Sequence, residues 1–343
     1  MPLKKEKVAA LAAARMTWGR DHLPLISTHM KIKDKTLEII DRAQQLIKVG
    51  KHSEAIALYE AVHKTNPEEE SVLLMLAWAH YDNGETSKAV EYLEDIMERE
   101  LKRKIFTGFA FDELVRIYKQ EGKFDNLIEI CRKAVTAQPN DVAILAELGS
   151  AYLCAEKPEE ACLVFEKLIG MENDNPAFYC RWGEALFAAG LTPESQDAYK
   201  KAAEIDPEDA DRYYFQLANL FQNTGHNDEA LKLLNDCISV NPGHSLYYCA
   251  LGDILIALGK TDKALTAYKT AIQYDNDGAG GYYNRLGQTL MRAKHFSLAI
   301  DAFQAAIEFD AAKPYYTGLA AAYDAMGRTD VARELLQKIN QSN

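Results

Sequence analysis

Residues 245–278 read SLYYCALGDILIALGKTDKALTAYKTAIQYDNDG. Counting Ser245 as position 1, Tyr248, Leu251, Gly252 and Leu255 occupy positions 4, 7, 8 and 11. That spacing puts them on one face of a helix with 3.6 residues per turn. Gly259 at position 15 ends the helix, because glycine accepts the left-handed conformation of a C-cap. Ala264, Tyr268 and Ala271, at positions 20, 24 and 27, form the stripe of a second helix. The stretch therefore predicts two antiparallel helices joined by a tight turn.

The same unit recurs from Thr36 onward about every 34 residues, with starts at Thr36, Glu70, Gly108, Val142, Pro176, Asp211, Ser245, Gly280 and Lys313. Only the step from Glu70 to Gly108 is long, at 38 residues. Position 7 is usually Leu, and position 8 is small (Ala43, Ala77, Gly149, Gly183, Ala218, Gly252, Gly287, Ala320). Position 20 is usually Ala and position 24 is large, while Pro67, Pro139, Pro207 and Pro242 at position 32 stop the second helix. Small residues at 8 and 20 let the two backbones approach closely. A lone unit would leave half its apolar stripe in water, so the units must stack.

These residues resemble the tetratricopeptide repeat family, whose pattern is W-x2-L-G-x2-Y…A-x3-F…P. The resemblance covers about residues 36–343 as nine repeats in register. It implies an all-α fold, a right-handed superhelical solenoid of antiparallel helix pairs. Departures are Arg42 at position 7, Leu127 and Ser195 at position 20, and the stretch 99–107. That stretch adds four residues and is expected to lengthen a helix or make a short loop.

Composition excludes several classes. The chain has 343 residues and a net charge of −12, against the basic face that nucleic-acid binders present. No run of 18 apolar residues is present to cross a membrane. Six cysteines without a C-x-x-C pair suit reduced thiols in the cytoplasm. Residues 1–35 stand apart as a basic leader, with a charge of +3 over 1–29. A secretory signal fits poorly, because Glu6 interrupts its charged part and Arg15 ends its apolar run early. Alternatively Met30 is the natural initiator and His29-Met30 marks a cloning junction.

Positions 21 and 28 should face the next repeat and are apolar inside the array. In the ninth repeat they become Arg333 and Asn340, which fits a capping face. In the fifth they are Gln196 and Ala203. Losing two large apolar residues there forgoes roughly 3–5 kcal/mol. The junction near 203–211 reads either as a hinge or as a substitution absorbed by local repacking.

No catalytic, cofactor or metal constellation emerges. Leu258-Gly-Lys-Thr261 lacks the first Gly and the preceding strand of a phosphate loop, and Gly278–Gly281 lacks the third Gly of a dinucleotide site. The eight histidines show no ligand spacing. Cys154 and Cys180, in adjacent repeats, are the pair most open to approach in a groove.

The family resemblance implies that positions 2, 5, 9, 12 and 13 of each first helix line the concave surface without packing in the array. In the second and third repeats these include Leu74, Trp78, Tyr81, Phe109, Arg116, Lys119 and Gln120. Aromatics beside Arg and Lys suit a peptide with apolar and acidic side chains. Trp78 and Phe109 read equally as packing residues. The later repeats offer Arg212, Phe215, Asn219, Gln222, Asn223, Asp253, Asn284, Gln288, Met291 and Arg292. Their amides form either a ladder for an extended peptide backbone or a merely solvated groove. Phe187 and Phe215 lie between the two patches.

Family members that clasp the carboxylate tails of heat-shock chaperones carry Lys, Asn, Asn, Lys and Arg at five groove places. The best window here supplies Asn219 and Arg285 only, so a chaperone-tail adaptor is not expected. The expected function is a non-enzymatic scaffold or adaptor binding a protein or peptide segment, with no cofactor, no nucleic acid and no membrane insertion. Alternatives are self-assembly, monomer to oligomer, through the leader or groove, and a regulatory subunit of an enzyme complex.

Overall fold

The computed structural model of the protein describes residues 34–341, so the expectations placed on the leader and on Met30 lie outside it. Among the described residues every regular element is helical. The chain divides into two compact units, the first ending at Leu168 and the second beginning at Ile169. The first holds α1 (Asp34–Lys48), α2 (His52–Thr65), α3 (Glu70–Asp82), α4 (Thr86–Arg103), α5 (Phe109–Glu121), α6 (Phe124–Ala137), α7 (Val142–Cys154) and most of α8 (Pro158–Met171). From α1 to α7, each helix packs on the next.

The second unit holds α9 (Pro176–Ala188), α10 (Thr192–Ile205), α11 (Ala210–Asn223), α12 (Asn227–Val240), α13 (Ser245–Ala257), α14 (Thr261–Tyr274), α15 (Ala279–Arg292), α16 (Phe296–Phe309), α17 (Lys313–Ala325) and α18 (Thr329–Gln341). Here too each helix packs on the next, and the first helix α15 also touches both α13 and α17. Each sequence repeat is thus one helix pair, and buried clusters span two or three successive repeats, as from Cys249 to Ala322.

The turn inside each pair is left-handed. Position-15 glycines take φ between +65° and +80°, and Glu156 (+56°) and Lys294 (+61°) adopt the same conformation in the fourth and eighth repeats. The helix pair therefore demands this backbone, and glycine is the residue that meets it with least strain.

Position 8 is matched in size to position 24 of the same repeat. Gly149, Gly183, Gly252 and Gly287 lie against Phe165, Tyr199, Tyr268 and Phe303, where a Cβ would come within 2.8 Å of the ring. Where position 24 is leucine, position 8 is alanine (Ala77 with Leu93, Ala218 with Leu234, Ala320 with Leu336), and the third repeat pairs Val115 with Cys131. Ala43 with Tyr59 departs from the rule.

The departures have local reasons. Ser195 is fully buried and donates its hydroxyl to the Gly183 carbonyl at 2.7 Å, so a polar residue is satisfied where alanine was expected. Leu127 is fully buried in the core of the first unit. The long step is absorbed in both expected ways: α4 runs 18 residues to Arg103, and left-handed Lys104 opens a short loop. Buried Glu100 ties that loop down by accepting the Thr107 amide at 3.1 Å and its hydroxyl. At the fifth repeat, Gln196 is exposed and Ala203 buried, and a short 3-10 turn, Pro207–Asp209, leads into α11. Arg333 is exposed; the side chain of Asn340 lies outside the described residues.

Candidate functional site

The contiguous first helices of the second unit create a polar face. Asn219 and Gln222 are half-buried on α11 and Asn223 is exposed beside them. On α15, Asn284 is half-buried and Gln288 and Arg292 are exposed. None of the five amides makes a side-chain hydrogen bond among the described residues, and Asn284 Oδ1 is itself buried without a partner. Such groups retain donors and acceptors for a ligand. Phe187 packs edge-on against Phe221 at 5.3 Å, and Phe215 tilts onto Tyr247 at 4.9 Å; both stay half-buried. Met291 is half-buried on the same face, and Arg212 is exposed but paired with Asp209 at 2.6 Å.

The expectation that these positions stay clear of packing fails at several of them. At position 5, Leu74, Cys180 and Cys249 are buried, because neighbouring helices close over that position. Leu74 therefore belongs to the core of the first unit. In the seventh repeat Asp253 is only 5% exposed and its oxygens are committed. Oδ1 accepts from Thr289 Oγ1 at 2.7 Å and from the Tyr268 hydroxyl. Oδ2 takes Arg285 Nε and Nη2, each at 2.8 Å. Arg292 Nη2 donates to Thr289 Oγ1 at 2.9 Å and extends the network. Asp253 thus joins the seventh repeat to the eighth and offers a ligand no free acceptor. It also engages Arg285, one of the two residues that matched the carboxylate-clasping pattern.

In the first unit, Trp78, Tyr81 and Phe109 are half-buried, and Trp78 packs against the core. Arg116 lies over the Tyr81 ring at 4.6 Å and pairs with Glu113 at 2.7 Å, while Lys119 pairs with Glu147 at 2.7 Å. Tyr81 donates to Gln120 Oε1 at 2.7 Å. An acidic peptide here would have to displace Glu113 and Glu147.

All six cysteines are free. Burial pushes the thiols of Cys131, Cys180, Cys237 and Cys249 up to about 12, which keeps them protonated and unreactive. Among the described residues no group of three or more His, Cys, Asp or Glu could hold a metal, and no helix is long and apolar enough to cross a membrane.

Sequence reasoning missed a polar seam between repeats. Tyr213 at position 3 donates to Asp206 at position 31 of the preceding repeat (2.8 Å), and Tyr282–Asp275 and Tyr315–Asp310 (3.3 Å) repeat the pairing. The recurrence of Tyr and Asp at those positions was the available signal.

Tetratricopeptide repeat models match residues 46–104, 110–143, 211–244 and 280–313, and a TPR repeat model matches 252–293. The chain belongs to the tetratricopeptide repeat family. It is 24% identical over 230 residues to the Hsp70-Hsp90 organizing protein of Triticum aestivum, covering 64% of this chain and 38% of the relative. It is 23% identical over 279 residues to the TPR repeat-containing protein YpiA of Bacillus subtilis (strain 168), covering 80% and 63%. The chain thus spans between about a third and two thirds of the length of these relatives. A crystal structure of MamA shares 24% identity with a TM-score of 0.38, over 48% of this chain and 96% of that one.

Proposed function

We propose that this protein is a non-enzymatic scaffold or adaptor that holds an extended segment of a partner protein on the first-helix face of its second unit. The observation that carries this reading is the set of unengaged amides, Asn219, Gln222, Asn223, Asn284 and Gln288. An extended backbone presents N–H and C=O groups in turn, and an amide complements either. Phe187 and Phe215 flank these amides with apolar surface for side chains, and Arg292 adds a cation. A reducing cytoplasmic setting suits the six free cysteines.

Peptides selected from a displayed random library on the full chain test the proposal. Their affinity should fall at least tenfold in Asn219→Ala/Asn284→Ala/Gln288→Ala, with the melting temperature unchanged. Equal affinity in that variant would move the binding elsewhere and refute the reading.

A further inference from the structure

A separate surface in the second unit has no role in that reading. Tyr248 and Tyr274 stack with centroids 5.5 Å apart and planes 20° from parallel, where α14 ends beside the start of α13. One repeat later, Tyr283 and Phe309 pair at the same positions, 4 and 30, at 5.8 Å and 32°. Tyr274 is 53% and Phe309 49% exposed, and Val240, at position 30 of the sixth repeat, is 52% exposed. Large apolar side chains left in water at the same register of three successive repeats mark an interaction surface.

The turns beside this row are mostly acidic. Segments 236–243, 272–279 and 307–312, which carry the three exposed residues, hold five carboxylates and no Lys or Arg, with Lys313 following directly. Asp275 and Asp310 accept hydrogen bonds from neutral tyrosine hydroxyls, which leave their charge in place.

We propose that this aromatic edge docks an arginine-bearing segment of a partner protein. A guanidinium stacks flat on an aromatic face and forks to a neighbouring carboxylate, which an ammonium does less well. The acidic turns steer such a segment to the edge.

The test is fluorescence anisotropy of labelled nona-arginine and nona-lysine with the full chain. Nona-arginine should bind more tightly than nona-lysine. Tyr274→Ala/Phe309→Ala should weaken its binding about tenfold, or about 1.4 kcal/mol, the scale of two exposed cation–π contacts. If that variant folds poorly, Tyr274→Leu/Phe309→Leu keeps the apolar bulk, removes the rings and should show the same loss. Unchanged affinity in the ring-deleted variants overturns the proposal and leaves only the attraction of a net charge of −12 for polycations. Loss of binding in the Asn219→Ala/Asn284→Ala/Gln288→Ala variant instead would place the peptide on the first-helix face and also overturn it.

Discussion

Tyr282 donates its hydroxyl hydrogen bond to Asp275 across the joint between the seventh and eighth repeats, and Asp275 also caps the Gly278 amide at 3.1 Å. One joint earlier Asn241 stands where this aspartate would be. There Tyr247 turns to Asp211 at 2.7 Å, and Asn241 donates to the same carboxylate at 3.1 Å. The seam is therefore kept when its acceptor moves. Nearest-neighbour joints of this kind set the stability of stacked repeats.

The Tyr282 hydroxyl, with the Gly278 amide, holds the Asp275 carboxyl below its usual range. A depressed folded-state value contributes stability above the unfolded pKa of about 3.9, and this is lost as the pH falls through the folded value. Asp275→Asn should be less stable than wild type at pH 7, and the gap should narrow below about pH 4. Urea unfolding at several pH values measures it. A gap that stays constant down to pH 3 would contradict the linkage.

Gly149 faces the Phe165 ring, and a Cβ there would stand 2.7 Å from Cζ. Gly149→Ala should cost about 1–3 kcal/mol, as overpacking does. Adding Phe165→Leu recreates the alanine–leucine match of the second and sixth repeats, and the pair should couple favourably by about 1 kcal/mol or more. Strictly additive losses in denaturant titrations would mean that the two positions are not size-matched.

Glu156 is exposed and holds φ at +56°. A non-glycine residue there costs about 1–2 kcal/mol, of which glycine's own chain entropy takes back about 0.5–1. Glu156→Gly should thus raise stability by up to about 1 kcal/mol, visible as a higher melting temperature. A lower one would show that the side chain has a stabilising partner.

Trp78 and Phe109 look alike in the sequence, and both are half-buried. Trp78 packs against the core of the first unit, so Trp78→Ala should cost about 2 kcal/mol, below the 3–5 kcal/mol of fully buried aromatics. Equilibrium unfolding decides this, and an unperturbed midpoint would return Trp78 to the ligand-facing residues.

The fold was legible because its determinants are periodic: a helical stripe, a left-handed turn and a small residue repeat in register through the chain. The site was only partly legible. Exposure at position 5 depends on how closely the flanking helices approach, so Leu74 looked available and is core. Asp253 looked like a groove acceptor because its partners Tyr268, Arg285 and Thr289 are 15, 32 and 36 residues away in sequence. Pairings between repeats, such as Tyr213 with Asp206, emerge only when positions 3 and 31 are compared across a joint.

The most direct measurement of the central claim is calorimetric titration of a library-selected peptide, its side-chain-scrambled version and its backbone N-methylated version into the full chain. If free amides hold the backbone, scrambling should cost little and N-methylation at alternate residues should cost tenfold or more. The reverse order, with N-methylation tolerated and scrambling abolishing binding, would contradict the account.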